Sequence, residues 1–303
     1  MKISGIKEKN ITTMHTSVWR PLAEGHKHAV SMLVDKYLLE KTRQAKNPVV
    51  DFMFTYYNFR PAALKRWTPG AGVLLKNGAE FQDFDQKGFQ RVGNDIELTA
   101  DSFPPKRVSG LKWIKSVLEN SQNTKPLLNC CGMHEWAMVY KTDDIRHDRF
   151  ALRLTPAEIQ DFVESRPVQC THFDAFRFFT EAARPLNQNK LSRDNFHLNE
   201  QPGCLHTNMD LYKWSYKLYP WVSSETTLQA FKLAMEAREL DMKAGPYDLT
   251  EIGFHPIKIE TEDGRIEYKR KQAVIWKKGI PIRSKLLKEV EYLLNEKDYE
   301  YEM

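Results

Sequence analysis

The sequence predicts a mainly α-helical fold of the α+β kind, with one helical domain over residues 17–296 and a small β-hairpin element. Three observations carry this reading. Apolar residues recur at helical spacing in separate stretches, as in Val30, Leu33, Val34, Tyr37 and Leu38, and again in Leu111, Ile114, Val117 and Leu118. Helix starts are spelled out in capping residues at Thr155-Pro156-Ala157-Glu158 and Ser223-Ser224-Glu225. No internal repeat or low-complexity linker divides the 303 residues, a length that can bury a substantial core without staples.

Residues 1–16 read as a loose lead-in and 297–303 as an acidic tail. Pro21 opens an amphipathic helix that runs to about Lys46 and carries His26 and His28. Asn47-Pro48 breaks it. The apolar run from Val49 to Tyr57 is a buried helix, because Pro61 to Trp67 continues at helical spacing. Val73-Leu74-Leu75, Asn77-Gly78 and Glu80-Phe81 form the hairpin, since Asn-Gly suits a tight two-residue turn. From Asp85 to Lys106 periodicity is low, and a loop is expected.

A helix covers Gly110 to Leu118, and the capping box at Thr155 opens another that Arg166-Pro167 closes. Asn187 to Pro202 reads as an exposed polar loop. Helices follow over His206–Leu218 and from Ser223 to Lys243, the latter stopped by Gly245-Pro246. Ile257-Lys258-Ile259 is a short strand candidate. After Asp263-Gly264, two basic helices separated by Gly279-Ile280-Pro281 end the chain.

Composition narrows the function. A polar, lysine-bearing start and the absence of a long apolar run point to a soluble, cytoplasmic protein with reduced thiols. The net charge of +5 permits phosphate partners without indicating them. Its distribution says more: from Arg265 to Lys288 nine basic residues face one acid, Glu267. This segment is either a pair of solvated helix faces or a DNA-tracking surface with Tyr268 and Trp276 interleaved for stacking.

All four cysteines lie a few residues ahead of a histidine, in Cys130-Cys131-Gly132-Met133-His134-Glu135, Cys170-Thr171-His172-Phe173-Asp174 and Cys204-Leu205-His206, with Asp210 one turn later. Thiolate and imidazole groups together suit zinc or iron, so Cys130, His134, Cys170, His172, Cys204 and His206 are the candidate ligands. Each cysteine alone is equally a small buried hydrophobe. The zinc-protease pattern is excluded, because Met138 stands where its second histidine belongs.

Among the acids, Asp210 shares a helix face with His206, Lys213 and Lys217. His172 and Asp174 cooperate only if the backbone there is extended. Adjacent helical residues diverge by about 100 degrees, so one of His134 and Glu135 enters any single site. Glu135 is a general base or a buried acid paired with an arginine. The catalytic candidates are Glu135, Asp174, Asp210 and His134. Tyr56, Trp136 and Lys213 are candidate substrate contacts, and Arg60 and Arg177, each beside an aromatic run, are candidate anion contacts.

The strings Asp51-Phe52-Met53-Phe54-Thr55-Tyr56-Tyr57, Gly132-Met133-His134-Glu135-Trp136, Cys170-Thr171-His172-Phe173-Asp174-Ala175-Phe176-Arg177 and Cys204-Leu205-His206 with Met209-Asp210-Leu211-Tyr212-Lys213-Trp214 resemble a family of bacterial proteins labelled 3-methyladenine DNA glycosylase. The resemblance runs from near residue 20 to near residue 290. It implies a DNA-repair hydrolase that flips out an alkylated purine, stacks it on aromatic rings and directs water at the sugar with a carboxylate. Glu135, Asp174 and Asp210 are then the candidate carboxylates. No helix-hairpin-helix with a catalytic aspartate is found, and the cysteines sit mid-chain rather than near the ends as in the small zinc-bearing glycosylase. No catalytic residue is therefore carried over from those architectures. Two other readings stand beside this one: a zinc or iron enzyme acting on a small molecule, and a non-catalytic binding module with a structural metal.

Overall fold

Helices at the centre of the molecule form where apolar periodicity meets capping residues. The computed structural model describes residues 11–42, 48–81, 84, 88–145 and 149–298. The protein is mainly α-helical with a small four-stranded sheet. The helices are α1 (Thr16–Thr42), α2 (Pro48–Thr55), α3 (Pro61–Leu64), α4 (Val108–Asn123), α5 (Met133–Ala137), α6 (Pro156–Glu164), α7 (Phe173–Phe176), α8 (Phe196–Asn199), α9 (Leu205–Lys217), α10 (Ser224–Ala244) and α11 (Glu262–Asp298). The strands are β1 (Thr12–Met14), β2 (Val73–Leu75), β3 (Phe89–Val92) and β4 (Asp95–Leu98). No helix among the described residues is long and apolar enough to cross a membrane.

Helices α9, α10 and α11 pack on one another, with α4 against α11 and α2 against α10. The expected starts are observed. Ser223 caps α10 by accepting from the Thr226 amide, and Thr155 and Glu158 form a full capping box on α6. The stripe Leu111, Ile114, Val117 and Leu118 is buried as its spacing requires.

Several expectations are corrected. Helix α1 begins at Thr16, so Pro21 lies inside it rather than at its start, and residues 43–47, where its end was placed, lie outside the described residues. The two basic helices are one, α11, with Pro281 inside it. The reason is a single buried stripe that keeps phase through the proline: Tyr268, Gln272, Ile275, Ile282, Leu286, Val290 and Leu293. Gly279 also lies on that stripe, and a side chain there would collide with Asn208 Oδ1 on α9.

The hairpin also differs. Strand β2 pairs in parallel with β1 and antiparallel with β4, giving the order β1-β2-β4-β3. The tight hairpin is β3–β4, where Val92 pairs with Asp95 across Gly93-Asn94. Thus residues 12–14 leave the lead-in to become a strand, and part of the expected loop at 85–106 becomes two strands. Under the sheet Trp19, Trp67, Phe84, Leu75 and Ile96 form a second, smaller cluster. Residues 257–259 form no strand, and the polar stretch 187–202 ends in the short helix α8 followed by buried Glu200 and Gln201. Residues 1–10 and 299–303 lie outside the described residues.

Candidate metal centre

Three histidines from distant segments meet in the interior. Cys131 (φ +46°) and Gly132 (φ +73°) turn the chain through left-handed backbone into α5, whose second residue is His134. His172 is the last extended residue before α7, and His206 sits in the first turn of α9. The rings of His134 and His206 lie 4.7 Å apart edge to face, and those of His172 and His206 stack at 5.1 Å. All three are buried.

Asp241 of α10 completes the first group. Ligand atoms of His134, His206 and Asp241 lie within 4.8 Å of one another. His134 Nε2 and Asp241 Oδ1 are 2.9 Å apart and both are buried, a spacing that suits either a direct ion pair or two ligands of one ion. Arg238 braces the other side, donating to Asp241 Oδ2 at 2.8 Å and to Glu135 Oε1 at 3.2 Å. Glu135 is thus the arginine-paired buried acid of the two readings above.

Charge balance follows from this packing. Burial alone would raise Asp241, but His134, His206 and Arg238 outweigh it and hold its carboxyl well below the ordinary range. Burial disfavours a charged His134, yet the adjacent Asp241 carboxylate raises it well above the ordinary imidazole value. For His206 burial prevails over Asp241, aided by its cationic neighbours, and the ring is held neutral. Glu135 is raised by burial and by Asp241 against the pull of Arg238.

A second group adjoins the first. His172, Asp174 and Asp210 also bring ligand atoms within 4.8 Å of one another. His172 Nδ1 donates to Glu200 Oε1 at 2.8 Å, and the Thr207 hydroxyl donates to the other Glu200 oxygen. Burial disfavours a charged His172, but the Glu200 carboxylate raises it above the ordinary imidazole value. Because His172 caps α7 in extended backbone, it shares a side with Asp174 despite the helix that follows. Lys213 Nζ bridges Asp174 (3.0 Å) and Asp210 (2.8 Å), and Tyr57 donates to Asp210 Oδ1 at 3.1 Å. Burial opposes the Lys213 charge, but the two carboxylates raise it above the ordinary lysine value.

Asp174 and Lys213 open onto a cleft of about 910 Å³ walled by Trp113, Phe173, Phe196 and Trp214, with Arg177 and Arg193 also lining it. Tyr56 stacks on Phe52 at 4.6 Å. Burial, then the charges of Asp174 and Asp210, raises its phenol. Compared with models of known protein families, with curated proteins and with solved structures, the chain matches none.

The placement of the sequence candidates is mixed. His134, His172, His206, Asp174, Asp210, Lys213, Tyr56 and Arg177 gather around the centre and the cleft. Arg60 is exposed beside the Tyr216 hydroxyl, apart from both groups. Trp136 is not a substrate contact: it is fully buried, donates to the Ala244 carbonyl and packs edge-on to Phe162.

Neither of the two ligand groups among the described residues includes a cysteine. Burial, then the neighbouring Cys130 and Cys204 thiols, raises Cys170, and burial followed by Glu200 raises Cys204, so the three cysteines stand within electrostatic reach of one another. Cys130 Sγ lies 3.7 Å from His134 Nδ1, behind the ring. In the basic segment, Tyr268 and Arg283 are buried, so neither faces a nucleic acid.

Three residues of the centre escaped sequence reasoning: Asp241, Arg238 and Glu200. A signal for the first two existed. Arg238 and Asp241 fall on the same apolar stripe of α10 as Phe231, Ala234 and Ala237, and charges on a core stripe call for partners.

Proposed function

We propose that the protein is a metal-dependent enzyme acting on a small molecule, with a zinc or iron ion held by His134, His206 and Asp241. The observation that supports this is the buried convergence of His134, His206 and Asp241, whose ligand atoms lie within 4.8 Å of one another, with His134 Nε2 and Asp241 Oδ1 2.9 Å apart. That spacing suits two ligands of one ion, at about 2.0–2.2 Å from each. Two histidines and one carboxylate are a ligand set of hydrolytic zinc and of non-haem iron, and they leave positions open. The ion would supply activated water or dioxygen. The His172 ring stacks on that of His206, and Asp174 of the adjoining group lines the aromatic cleft, which suits a planar substrate.

The test is metal analysis of untagged protein, native and with Asp241→Ala or His206→Ala. About one equivalent of zinc or iron is expected in the native protein and a large loss in each variant. Native protein that retains no metal after reconstitution with zinc, ferrous iron or manganese overturns the reading.

A second reading is release of an alkylated purine from DNA. It is favoured by the Phe52–Tyr56 stack beside Asp174 and Asp210 and by exposed Lys269, Arg270, Lys271, Lys277, Lys278 and Lys288 on α11. In it a flipped cationic base stacks on the aromatic rings while Asp174 or Asp210 directs water to the sugar. Excision assays on methylated duplex DNA test it, with Glu135→Gln, Asp174→Asn and Asp210→Asn as controls. No base release by the native protein removes it.

A further inference from the structure

The loop that carries His134 has two faces. Cys130 and His134 touch each other and the imidazole cluster, whereas Asn129, Cys131 and Met133 line a separate cavity of about 360 Å³. The end of α6 and the first turns of α11 supply the rest of its wall.

The charge in this cavity is lopsided. Arg166, Arg265 and Lys269 line it with one acid, Glu262, and none of the three cations has an ion-pair partner among the described residues. Arg265 Nη1 donates to the carbonyls of Ile259 and Glu260, both at 3.1 Å. Arg166 Nε is buried with no hydrogen-bond partner, while its guanidinium lies 5.6 Å from the Phe162 ring. Burial, followed by the charge of Arg265, lowers Arg166 below its ordinary value. Gathering like charges around a partly enclosed space is unfavourable unless an anion joins them. The positive end of the 37-residue helix α11 adds to the same field. Phe162, Ile259 and Ile266 give the cavity an apolar side.

We propose that this cavity binds a small phosphate ester, its phosphate held by Arg166, Arg265 and Lys269 and its organic part set against Phe162, Ile259 and Ile266. A phosphate group offers the acceptor oxygens that three converging cations require, and the volume fits a small organic ligand. The site is distinct from the metal centre and does not depend on how that centre is read.

The test is calorimetric titration of the full chain with phenyl phosphate, with inorganic phosphate and phenol as part-probes, on the native protein and on Arg166→Gln and Lys269→Gln. Lys269 is exposed, so its replacement leaves packing intact. Phenyl phosphate is expected to bind more tightly than either part-probe. Each substitution should weaken it by roughly 10- to 100-fold, the worth of a hydrogen bond to a charged group. Arg177→Gln, in the aromatic cleft, should leave it unchanged. Absence of binding to the native protein overturns the proposal. So does equal affinity in Lys269→Gln, or a loss that appears only with Arg177→Gln.

Discussion

Replacing Arg238 tests the electrostatic logic of the centre directly. Arg238, Glu135 and Asp241 are all buried, with guanidinium contacts of 3.2 and 2.8 Å to the two carboxylates. The guanidinium also lies 4.3 Å from the Phe52 ring, so methionine, of similar length, keeps that packing while removing the charge. Arg238→Met leaves two buried acids against His134. Stranding charge in this way costs about 3–5 kcal/mol, which at about 2–4 °C per kcal/mol lowers the melting temperature by roughly 6–20 °C. The measurement is thermal and urea unfolding in EDTA, so that bound metal does not mask the loss. Glu135→Gln in the Arg238→Met background should recover part of it, because one of the stranded acids is then neutral. Strict additivity of the two substitutions, to within about 0.5 kcal/mol, would refute the charge argument and leave only packing.

Other outcomes follow from single contacts. Burial holds His26 below its ordinary value while a ring nitrogen meets the Leu64 carbonyl at 2.9 Å. The unfolded chain therefore binds a proton that the native state refuses, and native stability should fall as pH drops through about 6.5. His26→Gln, which keeps a donor and cannot titrate, should flatten the unfolding midpoint between pH 7.5 and 5; an unchanged slope refutes the assignment. Gly279→Ala drives a methyl into Asn208 Oδ1, which also accepts from Arg283 at 3.0 Å, and should cost about 1–3 kcal/mol in urea unfolding. Thr155→Ala removes the α6 capping box and should cost about 1 kcal/mol by the same assay. Glu200→Gln weakens the charged hydrogen bond to buried His172 and should cost about 1–3 kcal/mol in urea unfolding; an unchanged midpoint refutes the support role.

What the sequence disclosed, it disclosed through local rules. The capping box at Thr155, the Ser223 cap and the stripe through Leu111 and Leu118 depend on residues within a turn or two of each other, and all are observed. The sheet was hidden because β2 finds partners in β1, at residues 12–14, and in β4, at 95–98. Asn77-Gly78 suggested a hairpin, and Asn77 does adopt φ +55°, yet the chain beyond it leaves the sheet. The two-residue turn that does close a hairpin, Gly93-Asn94, was equally visible and lay in a stretch whose short strands alternate weakly. Pro281 misled for the opposite reason. A proline breaks a helix on local grounds, but here a buried stripe on both sides of it holds α11 together.

The cysteine-histidine spacing led to the buried cluster, where the three histidine rings meet and Cys130 Sγ reaches His134 Nδ1. A histidine that is to present one nitrogen forward needs its other nitrogen and its flanks held, and a small apolar neighbour can pack close behind an imidazole. Cys130 Sγ makes a polar contact of 3.7 Å with His134 Nδ1, and Cys170 Sγ donates to the His172 carbonyl at 3.5 Å. The forward positions then go to nitrogen and to carboxylate oxygen from α7, α9 and α10. Carboxylates can be buried there because cations already wait for them: Arg238 beside Asp241, and Lys213 between Asp174 and Asp210. Asp241 and Asp174 are thus held in their charged forms by the cations around them. On the reading proposed above, a hard or borderline divalent metal would find imidazole and carboxylate donors already braced by these cations.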